Sequence, residues 1–428
     1  MLSVSKTLNG AVIVIPIAVG AYLSGIVYLA EGNAIPFSVF QITLIVGMLL
    51  WGVKKIIEKD ISFSFYGLEI QYLLYLSIIF FSLIYSPERE QGLFFAARYI
   101  VLIALTYLIY NCVSTIKEFR IICYSIIIIA LVIALQNVIQ TVLNPEIAAF
   151  NYINAGKQII RSRGAESDPN IFASNFILPI MLLVAFMGET KSLKKRIFLY
   201  ALCGALLVAV LLTYSRSSWV AIFIGAMIIM IHQKKYSFLF YSTIILLLAL
   251  IGSDSVRNVI FSVSERIVDI FAGTSDDSSK FRILLLESAI LMWFDSYTFG
   301  VGYQAFSTYS KTYYPPQELG GAFEPHNEFY TVLAELGLIG FIVFMFILWK
   351  TLKTGWLTMK FFEDKNTEVQ AISLALFASF IGYLIFFQFI GGMQYHSILT
   401  INIGLLFCAN KFTRYDYSEL IEVEKYID

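Results

Sequence analysis

The residues with the clearest chemical potential in this sequence are a histidine and several arginines that flank long apolar stretches. His326 ends a loop, and an apolar helix is predicted to start just after it. A histidine at the positive, amino-terminal end of a helix favours the neutral imidazole, which can accept a proton. His326 is therefore a candidate general base, and an ordinary histidine at the end of an apolar helix is the alternative.

Two arginines come from segments that lie far apart in the sequence. Arg282 lies on a predicted helix over 275–294 that is apolar enough to rest against a membrane, and Arg216 occupies a very short turn. Arginine binds phosphate through two parallel hydrogen bonds. The pair therefore predicts contacts to lipid-borne phosphate, with solvated arginines as the alternative.

A third basic segment adds Arg161 and Arg163. Asp168 and Pro169 follow them and predict the N-cap and first position of a helix. The amino terminus of that helix is expected to help hold an anion. Together with the two arginines above, this segment predicts a site for a membrane-embedded diphosphate.

The chain that must position these residues is too apolar to be a soluble domain. Of its 428 residues, 58% are hydrophobic and 14% are charged, with a mean hydropathy of +0.76; soluble domains are about 25% charged. Disorder, a disulfide-stapled secreted module and a nucleic-acid partner are excluded. A bilayer needs roughly 20 apolar residues per helix. Twelve such spans are predicted near 11–30, 36–53, 66–85, 92–111, 120–142, 170–188, 196–214, 217–232, 236–252, 328–349, 368–390 and 394–410.

The distribution of basic residues predicts the orientation of these spans. Lysine and arginine concentrate in alternate connections, which the positive-inside rule places in the cytoplasm together with both termini. The candidate histidine and arginines then face outward. The predicted division is spans 1–9 over 1–252 with an outer loop at 143–169, a large outer loop over 253–327, spans 10–12 over 328–410 and a cytoplasmic tail over 411–428.

Charged and small residues inside the predicted spans suggest structural roles. Glu335 and Arg98 lie at similar depths in different spans, where charges are usually paired, so a structural pair between them is predicted. Gly337 and Gly340 follow His326 along roughly one helical stripe and predict close packing with another helix.

Other classes of protein fit the sequence less well. No Asp, Glu, His or Cys cluster has the spacing of metal ligands, so no metal or other cofactor is expected. A twelve-span transporter, for instance a flippase of lipid-linked oligosaccharide, is the alternative function. Transporters often show repeat halves and polar sites near the membrane midplane. Here the long loop divides the chain unevenly, and the unusual charges cluster on the outer side.

Four segments resemble the O-antigen ligase/polymerase family of bacterial polysaccharide assembly. In that family an arginine is followed by three residues and a leucine, and a histidine by ten residues and a glycine; both patterns occur here in the expected order. The histidine pattern is the more specific one. The segments are TYSRSSWVA (213–221), Arg282 with Leu286, TFGVGYQAF (298–306) and PHNEFYTVLAELGLIG (325–340).

The resemblance implies an all-α polytopic protein of the bacterial inner membrane, with about twelve spans, one large periplasmic loop and similarity to membrane glycosyltransferases of the GT-C type. It implies that the donor is a glycan on undecaprenyl pyrophosphate and that the transfer reaction needs no metal or nucleotide. A ligase would pass the glycan to lipid A–core, and a polymerase would pass it to another lipid-linked glycan. Membrane lipid and, for a polymerase, a chain-length regulator protein are further expected partners.

Carried over by motif, His326 would be catalytic, and Arg216 and Arg282 would contact the pyrophosphate. Arg161 and Arg163 match a looser pattern. The sequence leaves ligase and polymerase open. An aromatic-rich loop that could stack sugars gives a slight preference for polymerase, although aromatics also anchor loops at the membrane surface. Its residues are Phe306, Tyr309, Tyr313, Tyr314 and Phe323.

Overall fold

The computed structural model describes the chain in separate ranges. The ninth predicted span (236–252), the first part of the large loop and the end of the predicted tail lie outside the described residues. The aromatic loop residues Tyr314 and Phe323 lie outside them as well. The described residues are 9–23, 39–59, 63–143, 149–154, 157–164, 166, 168–235, 277–313, 326–363 and 367–414.

Helices dominate the described part, as expected for an all-α polytopic membrane protein. By length and composition, seven helical segments can cross a membrane, and four shorter apolar helices accompany them. Eleven of the twelve predicted spans therefore coincide with described helices, and the count of twelve stays a prediction. The helices are α1 Gly10–Tyr22, α2 Val39–Glu58, α3 Glu69–Ser82, α4 Arg89–Cys112, α5 Ile116–Leu143, α6 Pro169–Ser174, α7 Ile177–Glu189, α8 Leu193–Leu212, α9 Arg216–His232, α10 Asp277–Asp295, α11 Phe306–Tyr313, α12 Glu328–Phe362, α13 Thr367–Phe386 and α14 Ser397–Phe412.

The centre of the bundle is formed by α7 and α13, which pack against each other. Of the apolar stretch that includes α6 and α7, 89% is buried, against 17% for α2. A helix that is apolar on all sides belongs either in a core or in lipid. The sequence alone does not separate these two environments, and the packing places α7 inside and α2 at the periphery.

A small β-hairpin interrupts the helical chain between α5 and α6. Strands β1 (Ala149–Asn154) and β2 (Lys157–Ser162) pair antiparallel. Ser162 at the end of β2 exchanges hydrogen bonds with Asn137 of α5, with Oγ donating to Oδ1 at 2.9 Å and Nδ2 donating back at 2.6 Å. This hairpin lies in the predicted outer loop at 143–169, where the sequence indicated no strand, and it fixes the segment that carries Arg161.

Helix α12 is broken at Gly337, whose backbone has φ 63° and ψ −168°. The sequence interpretation placed Gly337 and Gly340 on one continuous stripe below His326, and that stripe does not exist because the helix changes direction at Gly337. A glycine is required there because this region of φ is strained for other residues.

The break in α12 is filled by the loop that follows α10. The amide of Val301 donates to the carbonyl of Ala334, and the amide of Gly302 donates to that of Glu335, both at 2.9 Å. On the far side of the break, the amide of Leu338 donates to the carbonyl of Tyr297 at 3.0 Å. The TFGVGYQAF motif therefore restores the hydrogen bonds that a broken helix within a membrane would lose.

Candidate functional site

His326 lies two positions before the first residue of α12 and has φ +47°. Its neighbour Asn327 is the N-cap of the helix: Oδ1 accepts from the amides of Phe329 at 3.0 Å and Tyr330 at 3.2 Å. The Asn327 side chain also donates to the carbonyl of Gln388 at 2.9 Å. The backbone that carries the histidine is thus held at the start of α12 and at the end of α13, and its position is fixed.

Glu328 is a second residue that holds this corner, and the sequence interpretation assigned it no role. Its Oε2 accepts from the amides of Gly392 at 2.7 Å and Met393 at 3.2 Å. These amides belong to the connection between α13 and α14. The sequence feature that could have indicated this role is an acidic residue in the first turn of a helix, two positions after the candidate histidine.

The electrostatic surroundings of His326 come from three different segments. Burial and the Arg282 guanidinium lower the pKa of His326, and Asp168 acts in the opposite direction. The net effect favours the neutral imidazole, as the sequence indicated, although burial rather than the helix terminus is the main cause. Arg282 and Asp168 therefore lie within electrostatic range of His326.

Arg161 links the β-hairpin to the turn that precedes Arg216. Its Nε donates to the carbonyl of Thr213 at 2.9 Å, and one terminal nitrogen donates to Oδ1 of Asn170 at 3.0 Å. Arg216 is the first residue of α9, three positions after Thr213. The two arginines therefore approach the same turn, and Arg163 lies partly exposed just after β2.

The predicted N-cap of α6 is present, but it leaves little room for an anion. Asp168 Oδ1 accepts from the amides of Asn170 at 2.5 Å and Ile171 at 3.3 Å, with Pro169 at the first position. The expectation that this helix terminus also helps to hold an anion is not supported, because the Asp168 carboxylate already occupies it.

Arg98 and Glu335 have different surroundings. The Arg98 guanidinium lies 5.9 Å from the ring centroid of Tyr395. It also acts on Glu166, whose pKa is raised by burial and by Asp168 and is lowered by Arg98. Glu335 accepts from the amides of the loop after α10 at 2.9 and 3.1 Å. Their predicted pairing stays a prediction, and Arg98 and Asp168 both act on Glu166.

The aromatic loop residues have a structural role in the described part. Phe306 is only 2% exposed and lies in a hydrophobic cluster with Leu285 and Ala334; Tyr309 and Tyr313 pack against this cluster. A ring that fills a core is not free to stack on sugars, so Phe306 no longer supports the preference for polymerase. Tyr309 and Tyr313 are partly exposed, and the preference stays a prediction.

A buried polar network beside the site was also missed by the sequence interpretation. The hydroxyl of Tyr303 donates to Gln394 Oε1 at 3.1 Å, and Gln304 Nε2 donates to the hydroxyl of Tyr395 at 2.9 Å. His396 accepts from the amide of Leu399 through Nδ1 and lies 2.7 Å from Ser174 Oγ through Nε2. The network joins the loop after α10 to the start of α14, which no sequence pattern had indicated.

Comparison with known proteins agrees with the resemblance seen in the motifs. Residues 199–345 match the family model described as O-antigen ligase. The matched range contains Arg216, Arg282 and His326. No curated protein matches the chain significantly. The match confirms the resemblance to the O-antigen ligase/polymerase family and indicates a membrane enzyme of O-antigen or related surface-polysaccharide assembly.

Proposed function

We propose that this protein belongs to the O-antigen ligase/polymerase family and is a membrane glycosyltransferase of the bacterial inner membrane. It transfers a glycan from undecaprenyl pyrophosphate to a sugar hydroxyl at the periplasmic face. The acceptor is lipid A–core in a ligase or another lipid-linked glycan in a polymerase. The observation that carries this proposal is the match of residues 199–345 to the O-antigen ligase model, a range that contains Arg216, Arg282 and His326. The lowered pKa of His326, caused by burial and by Arg282, supports a role as base.

The chemistry requires a base and fixed positive charge. The acceptor hydroxyl oxygen attacks the anomeric carbon and forms the new glycosidic bond, and the bond to the pyrophosphate oxygen breaks with its electron pair. The hydroxyl proton passes to the neutral imidazole of His326. Direct attack inverts the anomeric centre.

The arginines would stabilise the charge that develops on the departing pyrophosphate. Arg282 lies on α10, and Arg216 lies at the start of α9 beside the turn held by Arg161. Guanidinium groups fixed in a water-poor site stabilise such charge without reorganising during the reaction. Arg163, partly exposed just after β2, is retained as a lesser candidate.

The base is tested by His326→Ala, with purified protein in lipid nanodiscs and with lipid-linked donor and acceptor supplied. Transfer should fall by about 100- to 10,000-fold because proton removal is lost, while donor binding persists. His232→Ala is the matched control, since His232 ends α9 and lies 3.9 Å from Glu363 at the other end of the bundle. Transfer by His326→Ala within a few-fold of wild type, at normal donor binding, would rule out the histidine as the base.

The orientation is tested by cysteine labelling in intact cells with a membrane-impermeant maleimide. All four native cysteines are buried, which keeps the background low. Exposed Thr312 on α11 should label as cysteine, and exposed Lys194 on α8 should label only after permeabilisation. The reverse pattern would place the candidate site in the cytoplasm and contradict a periplasmic reaction.

A further inference from the structure

We propose that Glu335 is a positioning residue, which holds the loop after α10 in the break of α12 and so determines where Arg282 lies relative to His326. This inference rests on the proposed function for its catalytic consequence. Its structural part, a mechanical link from Glu335 to the arginine, stands on the contacts alone.

The carboxylate of Glu335 acts as a bridge across the chain. Oε2 accepts from the amide of Gln304 at 2.9 Å, and Oε1 accepts from the amide of Phe306 at 3.1 Å. Glu335 is only 4% exposed. A buried carboxylate is costly unless hydrogen bonds compensate it, and hydrogen bonds to a charged acceptor are stronger than neutral ones. Both of its oxygens are therefore committed to the backbone where α11 begins.

The backbone held in this way packs directly against α10. Ala305 and Phe306 lie in one hydrophobic cluster with Leu285, Ala289 and Met292 of α10. Leu285 is fully buried and lies three positions after Arg282, which is less than one helical turn. A shift of the loop therefore moves the part of α10 that carries the arginine.

The opposite face of the loop is closed, so it has few alternative positions. The hydroxyl of Ser86 donates to the carbonyl of Tyr303 at 3.0 Å, and the hydroxyl of Thr308 donates to Glu88 at 2.6 Å. The loop is thus clamped between the α3–α4 turn and the break in α12. Glu335 is the charged contact on the side of the break, one residue before Leu336 and two before Gly337.

The pKa of His326 reports on the position of Arg282, because the positive charge of the arginine lowers that pKa. Burial lowers the pKa as well, and Asp168 raises it. If Glu335 no longer holds the loop, α10 gains freedom and the effect of Arg282 weakens. The pKa of His326 should then rise, whereas a loss of stability that leaves α10 and the burial of His326 intact predicts no change.

The experiment is an NMR pH titration of full-length protein labelled at histidine, in nanodiscs, together with steady-state transfer kinetics. The sequence has three histidines, so the His326 signal is assigned by its loss in His326→Gln. In Glu335→Gln the amide group leaves one backbone amide without its acceptor. We expect the His326 titration to move to higher pH, toward the value in Arg282→Gln, and kcat to fall by roughly 100-fold because the arginine is misplaced.

Glu118→Gln is the matched control. Glu118 is another buried carboxylate that accepts backbone amides, from Gly10 at 2.8 Å and Ser114 at 2.8 Å, at the other end of the bundle. It should lower thermal stability without moving the His326 titration. Phe306→Leu tests the same link through packing if Glu335→Gln does not fold, with a smaller shift in the same direction.

The outcomes separate the inference from the proposed function. An unchanged His326 titration in both Glu335→Gln and Phe306→Leu overturns the inference, whatever the enzyme does. An unchanged titration in Arg282→Gln overturns it too, since the arginine would then not act on the histidine. If the titration moves as expected while His326→Ala and Arg282→Ala retain full transfer, the link is upheld and the proposed function fails.

Discussion

The two ends of the bundle use the same device, a buried carboxylate that collects backbone amides, for different purposes. At one end Glu118 accepts from Gly10, Ser114 and Thr115, and so joins the starts of α1 and α5. Lys411 donates there to carbonyls of the last turn of α4 and its C-cap. Every partner at this end belongs to an ordinary helix terminus, and the result is a closed structural joint.

At the other end Glu335 lies within a broken helix and holds the end of the loop after α10, at the point where the short helix α11 begins. Positive φ occurs here at His326, Gln304, Tyr214 and Gly337, whereas Lys59 and Lys234 adopt it just beyond the ends of α2 and α9. Irregular backbone at membrane depth is tolerated only where protein buries it or a cavity is lined by it, and strained residues concentrate at functional sites. The comparison indicates that the irregular end is built to place side chains, whereas the regular end is built to hold helices together.

The largest loss of transfer is expected from substitution of the arginines at the irregular end. Arg282→Ala and Arg216→Ala should each lower transfer by about 100- to 1,000-fold, the scale for removing a donor that stabilises developing charge. Lysine should restore only part of the rate, because a point charge replaces a planar fork. Transfer is measured at matched protein levels in nanodiscs.

The control for the arginines is Arg196→Ala at the regular end, where Arg196 donates to the carbonyl of Thr190 at 2.7 Å. It should retain transfer close to wild type. Normal transfer rates in both Arg282→Ala and Arg216→Ala would contradict the functional difference between the two ends, since the irregular end would then have no role in holding a diphosphate.

A smaller effect is expected when the broken helix is forced to accommodate a side chain. In Gly337→Ala the new Cβ would lie 2.4 Å from the carbonyl oxygen of Thr298, at a φ of +63°. Strain of about 1–3 kcal/mol from the backbone conformation alone, with the clash in addition, should lower the thermal midpoint and the transfer rate together. The thermal midpoint is measured by thermal unfolding in detergent.

Gly204→Ala is the matched control, because nothing lies within 4 Å of its added Cβ in the regular helix α8. Alanine is the better helix former by about 1 kcal/mol, so this variant should be as stable as wild type or slightly more stable. Equal behaviour of the two variants would show that the break at Gly337 is not a structural requirement.

The smallest effect is a displacement of the pH profile by Asp168→Asn. Asparagine keeps the N-cap of α6 but removes the charge that raises the pKa of His326. The pKa of His326 should fall further, so that the neutral base persists to lower pH. The acid limb of kcat/KM should therefore move to lower pH, opposite to the direction expected for Arg282→Gln. If the acid limb moves in the same direction in Asp168→Asn and in Arg282→Gln, that limb does not report the titration of His326.

Much of the architecture could be predicted because it depends on local chemistry. Long apolar runs predict spans, and Asp168 followed by Pro169 predicts a helix start that the structure contains. The arginine and histidine motifs were recognised from short-range spacing, and the family match over 199–345 agrees with them. The β-hairpin was missed because it lies in a polar loop between two strong helical signals, and its contacts with Asn137 and Thr213 join residues that are far apart in the sequence.

The contacts that build the candidate site join residues far apart in the chain. The amides of Val301 and Gly302 fill a break 33 residues further along at Ala334 and Glu335, and Ser86 reaches Tyr303 across 217 positions. Hydrophobic periodicity could assign Gly337 to a helix, yet it carried no information about the loop after α10, whose backbone bonds to both sides of the break. Spans and caps follow from transfer free energy and local hydrogen bonding, which act within a few residues. The relative placement of His326 and Arg282 depends on which distant segments satisfy each other's polar groups in an apolar surrounding, and that is a property of the folded bundle.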